Sequence, residues 1–438
     1  MLRPALVLGL VSIVVACGGA PPREPRARTG LARPRAASPD RPRVAPVARC
    51  DSITARVDEG NALAAYGSYP SRLSLVPEGT GFRVFYPSAY DDPLASAPVA
   101  ADGSLGPAGR APVDLRAEPH RVSRPTVASI AGTPVMAAGV FVTDRNADVL
   151  VARGTADGRL GTAAPLLADP ALDLDPSIAP APDRGFAVAW RHGAYPHAPD
   201  LAFARVDRDG RTLGGGVVVT GAQAGERLAL VHVPGVGWAL LYATVGTERE
   251  LVLVRIGLDG AVLERRVVAS GGIADPVAAW DGSAVSVAYH LDATGSVLPS
   301  GAQRSGVGWL RLGPDGRALA AQVVVEEPQE PSASPSPSAL VFEGRAFWLA
   351  SVVSFPTVIV DAVHDRATGS TIHRVRRESP YASIVRIDRE GRPRARATIE
   401  GVSTIHLVST PDGVRGVLVE SELSSQGSLR SFAMRCAR

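Results

Sequence analysis

A turn motif returns along this chain at a nearly constant interval, and that repeat limits the available folds more than any other feature. Asp-Gly or Glu-Gly pairs fall at 102–103, 157–158, 209–210, 259–260, 315–316 and 390–391, so the glycines stand 55, 52, 50, 56 and 75 residues apart. Each pair lies between two apolar runs of strand length, the pattern of a hairpin closed by a tight turn. Five residues before the glycine stand Arg153, Arg205, Arg255, Arg311 and Arg386, with Pro98 in the first unit. Upstream of each such strand is another that opens on glycine and is rich in aromatics: 81–86, 185–190 and 237–242, with weaker copies from Gly132, Gly282, Gly344 and Gly416. Seven such strands can be counted.

The 389 residues from Cys50 onward would ordinarily divide into two or three domains. A unit of about 50 residues with four short strands instead has the period of a propeller blade, and tandem sandwiches do not repeat at that length. On these residues 50–438 resembles β-propellers in general. The resemblance implies an all-β, seven-bladed ring, with six or eight blades as the alternatives.

Ser431-Phe432-Ala433-Met434-Arg435-Cys436 aligns with Leu201-Ala202-Phe203-Ala204-Arg205-Val206, which puts Arg435 at the repeated arginine and a seventh turn glycine at position 440, beyond Arg438. The last blade is therefore expected to take its outermost strand from 50–57, with the first strand of the ring near 71–76. Such closure removes an unpaired sheet edge. It also brings Cys50 beside Cys436, and a disulfide between them is expected. Trp190, Trp238, Trp280, Trp309 and Trp348 lie in or beside the repeated strands and are expected as inter-blade core. The repeated arginines are expected to pair near the acidic turns.

The N-terminus has the three parts of an export signal. Arg3 is the one charge, residues 5–16 are apolar or small, and the run ends in Val14-Val15-Ala16-Cys17. That ending resembles the lipobox of bacterial lipoproteins, with Val14 where Leu is commoner. The resemblance implies cleavage after residue 16, lipidation of Cys17 and membrane attachment through that lipid. The alternatives are an ordinary secretory signal and a membrane span, but twelve apolar residues are too few to cross a bilayer. Gly18 rather than Asp after the cysteine points to the outer membrane of the cell envelope, facing the periplasm or the surface. Residues 17–49 then read as a disordered tether, with seven Pro, eight Arg and two acids between Gly18 and Arg49.

The tether carries +6 and Arg3 one more positive charge, so of the chain's net +3 the propeller segment keeps about −4. A domain of that sign is not expected to bind nucleic acid. The eight histidines show no HExxH spacing, and no GxSxG, Walker or dinucleotide glycine pattern occurs. No catalytic residue and no cofactor is therefore expected. Asp207 with Asp209, and Asp388 with Glu390, make partial acidic turns, but a calcium loop needs a further ligand in series, so no metal is expected there. Asp173 and Asp175 alternate in one strand, so only one of them is expected to face the central channel. The Asp-box of sialidases and the Trp-Asp ending of WD repeats are missing, and the resemblance reaches no enzymatic branch.

The connections are more informative. In a propeller the links between second and third strands and those between blades share one face, opposite the Asp-Gly turns. The long links are 191–200, 290–306, 326–338 and 361–381, all on that first face, where recognition on a rigid scaffold usually sits. They carry the candidate ligand-binding residues His192, Tyr195, His197, His364, Asp365, Arg366, His373, Arg374, Arg376 and Arg377. The run 328–338, rich in Pro and Ser, reads as a flexible loop, and the opposite face is expected to be comparatively flat and passive. These features point to a monomeric envelope module that binds or scaffolds a protein or polymer partner. The alternative is a propeller hydrolase or lyase acting on sugars or lactones in the channel.

Overall fold

The computed structural model describes residues 52–436 apart from 58–64, 67–72, 88–93, 105, 108, 111–121, 144–145, 156–158, 168, 195–197, 293–305, 327–333, 355–358, 365–370, 377–379 and 421–426. The chain divides into two units, Met1–Ala48 and Arg49–Arg438, and the first lies wholly outside the described residues.

The second unit is a ring of seven antiparallel blades, a seven-bladed β-propeller. Blade 1 is formed by Ser74–Glu78, Gly81–Pro87, Leu94–Val99 and Gly109–Arg110. Blade 2 contains Val122–Ile130, Thr133–Thr143, Asn146–Arg153 and Ala164–Pro165, and blade 3 contains Leu174–Ala181, Gly185–His192, Asp200–Val206 and Thr212–Val219. Blade 4 runs Ala224–Val233, Gly237–Thr244, Glu250–Gly257 and Val262–Ser270; blade 5 runs Ile273–Trp280, Val285–Leu291, Gly306–Leu312 and Ala318–Glu326. Blade 6 joins Ser334–Phe342, Phe347–Ser354, Tyr381–Ile387 and Pro393–Glu400. Blade 7 has Val402–Thr410, Gly413–Glu420 and Gly427–Cys436, and its fourth strand is Ile53–Val57 from the other end of the ring. Ile53 stands opposite Cys436 and Val57 opposite Phe432. The N-terminal strand thus closes the last blade, and the inner strand of blade 1 begins at Ser74, a little later than the sequence suggests.

Burial explains why the second and third strands read as unbroken apolar runs. In Gly185–His192 six consecutive residues are buried, because both faces of a middle strand meet neighbouring blades. Outer strands such as Pro393–Glu400 alternate between exposed and half-buried residues instead. Each of the seven interfaces has its own core: Phe85 with Met136 between blades 1 and 2, Trp190 with Val151 between 2 and 3, and Phe203 with Trp238 between 3 and 4. Leu241 meets Val287 between 4 and 5, Trp309 meets Phe347 between 5 and 6, Trp348 meets Phe432 between 6 and 7, and Val417 meets Tyr86 between 7 and 1. Four of the five tryptophans are at most 2 % exposed, and Trp280 is partly buried against the core between blades 4 and 5.

The Asp-Gly turns also hold blades together. In the turns of blades 3, 4 and 5 the glycine N–H donates to the carbonyl three residues back, with φ near +80° to +90°, which glycine adopts at little cost. That turn lies over the preceding blade. Gly210 sits against Arg153, and Arg153 pairs with Asp209 at 2.6 Å; Arg205 donates to the Leu258 carbonyl at 2.9 Å. The repeated arginines therefore reach the next blade's turn in these cases. Arg311 and Arg386 turn back instead to Asp281 and Glu343 of their own blades.

Several sequence expectations need correction. In blade 7 the second strand opens at Gly413, not Gly416, so Arg415 stands opposite Ala433 just as Ala187 stands opposite Arg205. Ala433, and not Arg435, takes the place of the repeated arginine. The Pro/Ser run is no loop over its second half, because Ser334–Phe342 is the innermost strand of blade 6. Innermost strands have a partner on one side only, so Pro335 and Pro337 cost no ladder bond on the channel side. Pro176 and Pro276 likewise fall at bulges in their innermost strands. The face of the Asp-Gly turns carries hollows between blades. It holds cavities of about 730 Å³ beside Asp102 and Arg415 and about 620 Å³ beside Arg153 and Gly210.

Candidate functional site

The strand order places the links between second and third strands at the same end of the ring as the links between blades. Three of the four long connections are thereby on one face as links. The fourth, 361–381, departs from a loop, because it carries a two-stranded hairpin, Ile359–His364 paired with Thr371–Arg376, inserted in blade 6. Phe347–Ser354 still pairs directly with Tyr381–Ile387, so the insert leaves the blade intact and accounts for the longest glycine spacing.

The candidate residues divide accordingly. His364, His373, Arg374 and Arg376 are on the hairpin, with Arg374 opposite Asp361 and His373 opposite Ala362. Tyr195, His197, Asp365, Arg366 and Arg377 lie outside the described residues, as do Cys17 and Cys50. His192 ends the second strand of blade 3, and its Nδ1 is 2.7 Å from Oδ1 of Asp173.

Asp173 immediately precedes the inner strand of blade 3 and is 1 % exposed. The backbone fixes it from both sides: its N–H donates to the Ala147 carbonyl at 2.7 Å, and the Leu172 N–H donates to Gly193 at 2.8 Å. Asp169, in the link from blade 2, stands close to it, and Asp148, on that blade's third strand, lies within range of the Asp169 charge. Burial pushes the Asp173 carboxyl above its ordinary range against the opposing pull of His192. Burial and then the charge of Asp169 raise Asp148. In the sequence Asp173 stands out only as one of two acids, with Asp175, that alternate in a strand, and nothing local in the chain links it to Asp169.

The two acids do take different sides. Asp175 lines the central channel and pairs with Arg191 at 2.9 Å. All seven inner strands line this channel, whose volume is about 310 Å³. Glu226, Arg227 and His406 add to its polar wall, and nearby Asp275 accepts from Ser336 at 2.9 Å. Burial and then the Arg227 charge hold the His406 imidazole well below the usual histidine range. The acidic turns singled out in the sequence are filled by local donors. Asp207 accepts from the N–H groups of Asp209 and Arg211, and Asp388 accepts from Arg392 and Arg394.

No protein-family model matches the sequence, and no curated protein matches it. Among solved structures the chain is similar to an ancestral GH74 enzyme, with a TM-score of 0.50 and 11% identity over 85% of this chain. The chain spans 48% of that enzyme's length. The WD40 domain of Toxoplasma gondii coronin also matches, with a TM-score of 0.48, 9% identity and coverage of 89% of this chain and 87% of that one. At such identity the likeness to the GH74 enzyme is one of fold, and the chain is a β-propeller.

Proposed function

We propose that the protein is a membrane-tethered module of the bacterial cell envelope that binds or scaffolds a partner on the face of its long connections. The inserted hairpin of blade 6 carries this reading. It adds two strands that the blade does not need for closure, and it brings His364, His373, Arg374 and Arg376 onto one short element. Guanidinium groups hold carboxylates and phosphates in bidentate geometry, so the fitting partner is an anionic envelope polymer or a protein with an acidic surface. Cleavage before Cys17 and lipidation there would keep the ring at the outer membrane.

The channel supports a hydrolase or lyase less well. Of its carboxylates, Asp175 is held by Arg191, and neighbouring Asp275 is engaged by Ser336. Both carboxylates are thereby occupied by structural partners.

The test replaces Arg366, Arg374, Arg376 and Arg377 together by Gln and compares capture of cross-linked envelope components with wild type. Capture should fall while the melting temperature stays nearly unchanged. Undiminished capture, lost instead on altering the Asp-Gly face, would put the binding surface on the other side. Cys17→Ser should abolish palmitate labelling and release the protein from membranes; unchanged labelling would remove the anchor from this reading.

A further inference from the structure

We infer that Asp169, Asp173 and His192, with Asp148 beside them, form a site for a divalent cation of the zinc or manganese class at the junction of blades 2 and 3. One ligand atom from each of the three lies within 4.8 Å of the other two. A cluster of acids alone is common on protein surfaces, but here a second observation bears on a ligand. Asp173 is 1 % exposed, and its Oδ2 is buried without a hydrogen bond; the nearby Trp190 indole, which also draws on this carboxyl, is itself left without one. A buried carboxylate oxygen without a donor is costly. Asp169 beside it adds a like charge, and a cation resolves both penalties at once.

The donor set indicates the ion class. Carboxylates alone suit calcium or magnesium, whereas imidazole suits zinc and other first-row ions. Ligands at about 2.0–2.2 Å from one ion stand roughly 3 Å apart. The 2.7 Å between His192 Nδ1 and Asp173 Oδ1 is a hydrogen-bond distance. Binding through both atoms therefore moves them only a few tenths of an ångström apart. The scaffold is suited to such a small change. Asp173 is clamped by Ala147, and Asp169 accepts from the Ala171 N–H at 2.9 Å through Oδ1, which leaves its second oxygen for an ion. The ion would join the blade 2 link to the end of the second strand of blade 3. The inference does not rest on the binding reading above, since a cation can be held there whether or not a partner docks.

The test uses the purified full-length protein, stripped with chelator and dialysed at equilibrium against Zn²⁺, Mn²⁺ or Ca²⁺. One Zn²⁺ or Mn²⁺ per chain should bind in preference to Ca²⁺. His192→Gln and Asp169→Asn should each weaken binding by more than the roughly 10–100-fold that loss of an outer-shell partner costs. Asp169→Asn keeps the acceptor for Ala171 and serves if His192→Gln fails to fold. Co²⁺ gives an independent readout, because its visible spectrum should change when the imidazole is removed. Zn²⁺ and Mn²⁺ binding no tighter than millimolar, or binding unchanged in both variants, would overturn the assignment and leave the four residues as a hydrated acidic cluster.

Discussion

Arg311 donates to Asp281 at 2.6 Å, joining the third strand of blade 5 to the turn between that blade's first two strands. The Asp281 side chain has no exposure and its Oδ1 accepts from the N–H groups of Ser283 and Ala284 and from the Ser283 hydroxyl. Burial alone would raise this carboxyl, but those donors and Arg311 outweigh it and hold the pKa below the usual range. Arg311→Met should therefore cost about 3 kcal/mol, because it strands a buried charge, and it should lower the urea midpoint with little change in slope. A depressed acid contributes stability above its unfolded pKa and loses it as pH falls through the folded value. The variant's deficit should accordingly shrink in strong acid. A loss that is the same at pH 7 and pH 2 would show that the pair contributes by shape and not by charge.

The turn of blade 6 gives a sharper steric prediction. Gly391 has φ +87°, and a Cβ there would fall 2.7 Å from Trp309 Nε1 and closer still to Gln322 Nε2. Gly344 has φ +90° with open space around it. Alanine at either position carries a left-handed backbone penalty of roughly 1 kcal/mol, and at Gly391 overpacking adds about 1–3 kcal/mol. Chemical denaturation of both variants separates the two effects. Equal losses would mean that the turn does not press on blade 5.

His406 makes the ring sensitive to acid. Its pKa is depressed by burial and by Arg227, so the unfolded chain binds the proton more readily than the fold. Stability from this group is fully present above the unfolded histidine value and is lost as pH falls through the folded one. Asp173 and Asp148 act in the opposite sense. Their raised pKa values mean that their contribution is present below the unfolded carboxylate value and lost as pH rises through the folded value. His406→Gln should thus flatten the decline in melting temperature between pH 7 and pH 4 relative to wild type. Parallel curves for the two proteins would show that the imidazole is already charged in the fold.

Ile53 pairs with Cys436 where the ring closes, and a bond from Cys50 to Cys436 is the disulfide expected there. Two residues, Asp51 and Ser52, separate Cys50 from Ile53. Peptide mapping without reductant should recover the two cysteines in one species 2 Da lighter than the reduced pair. Reduction should lower stability by at most about 5 kcal/mol for a loop of this length. Recovery of Cys436 as a free thiol in protein from an oxidising compartment would refute the bridge.

Much of the ring was legible because its determinants are local and repeated. The Asp-Gly turns, the glycine-led aromatic strands and the tryptophans each report a blade through backbone chirality or apolar burial. The closing strand followed from the same period. The register of blade 7 was not legible, since Gly413 and Gly416 both suit a strand opening and only pairing with Gly427–Cys436 distinguishes them. The strand Ser334–Phe342 was hidden because proline ordinarily argues against a strand. That rule relaxes on an edge lining a channel.

The sequence by itself therefore determined the all-β class, the seven-fold repeat and the closure of the ring, all of which depend on residues near one another or on a constant spacing. Only the tertiary structure decided which chemistry converges. Asp148, Asp169, Asp173 and His192 come from a strand, an inter-blade link, a strand entry and a strand end, spread over 45 positions of the chain. They meet because two adjacent blades press their ends together, and no period along the chain encodes the angle at which blades meet.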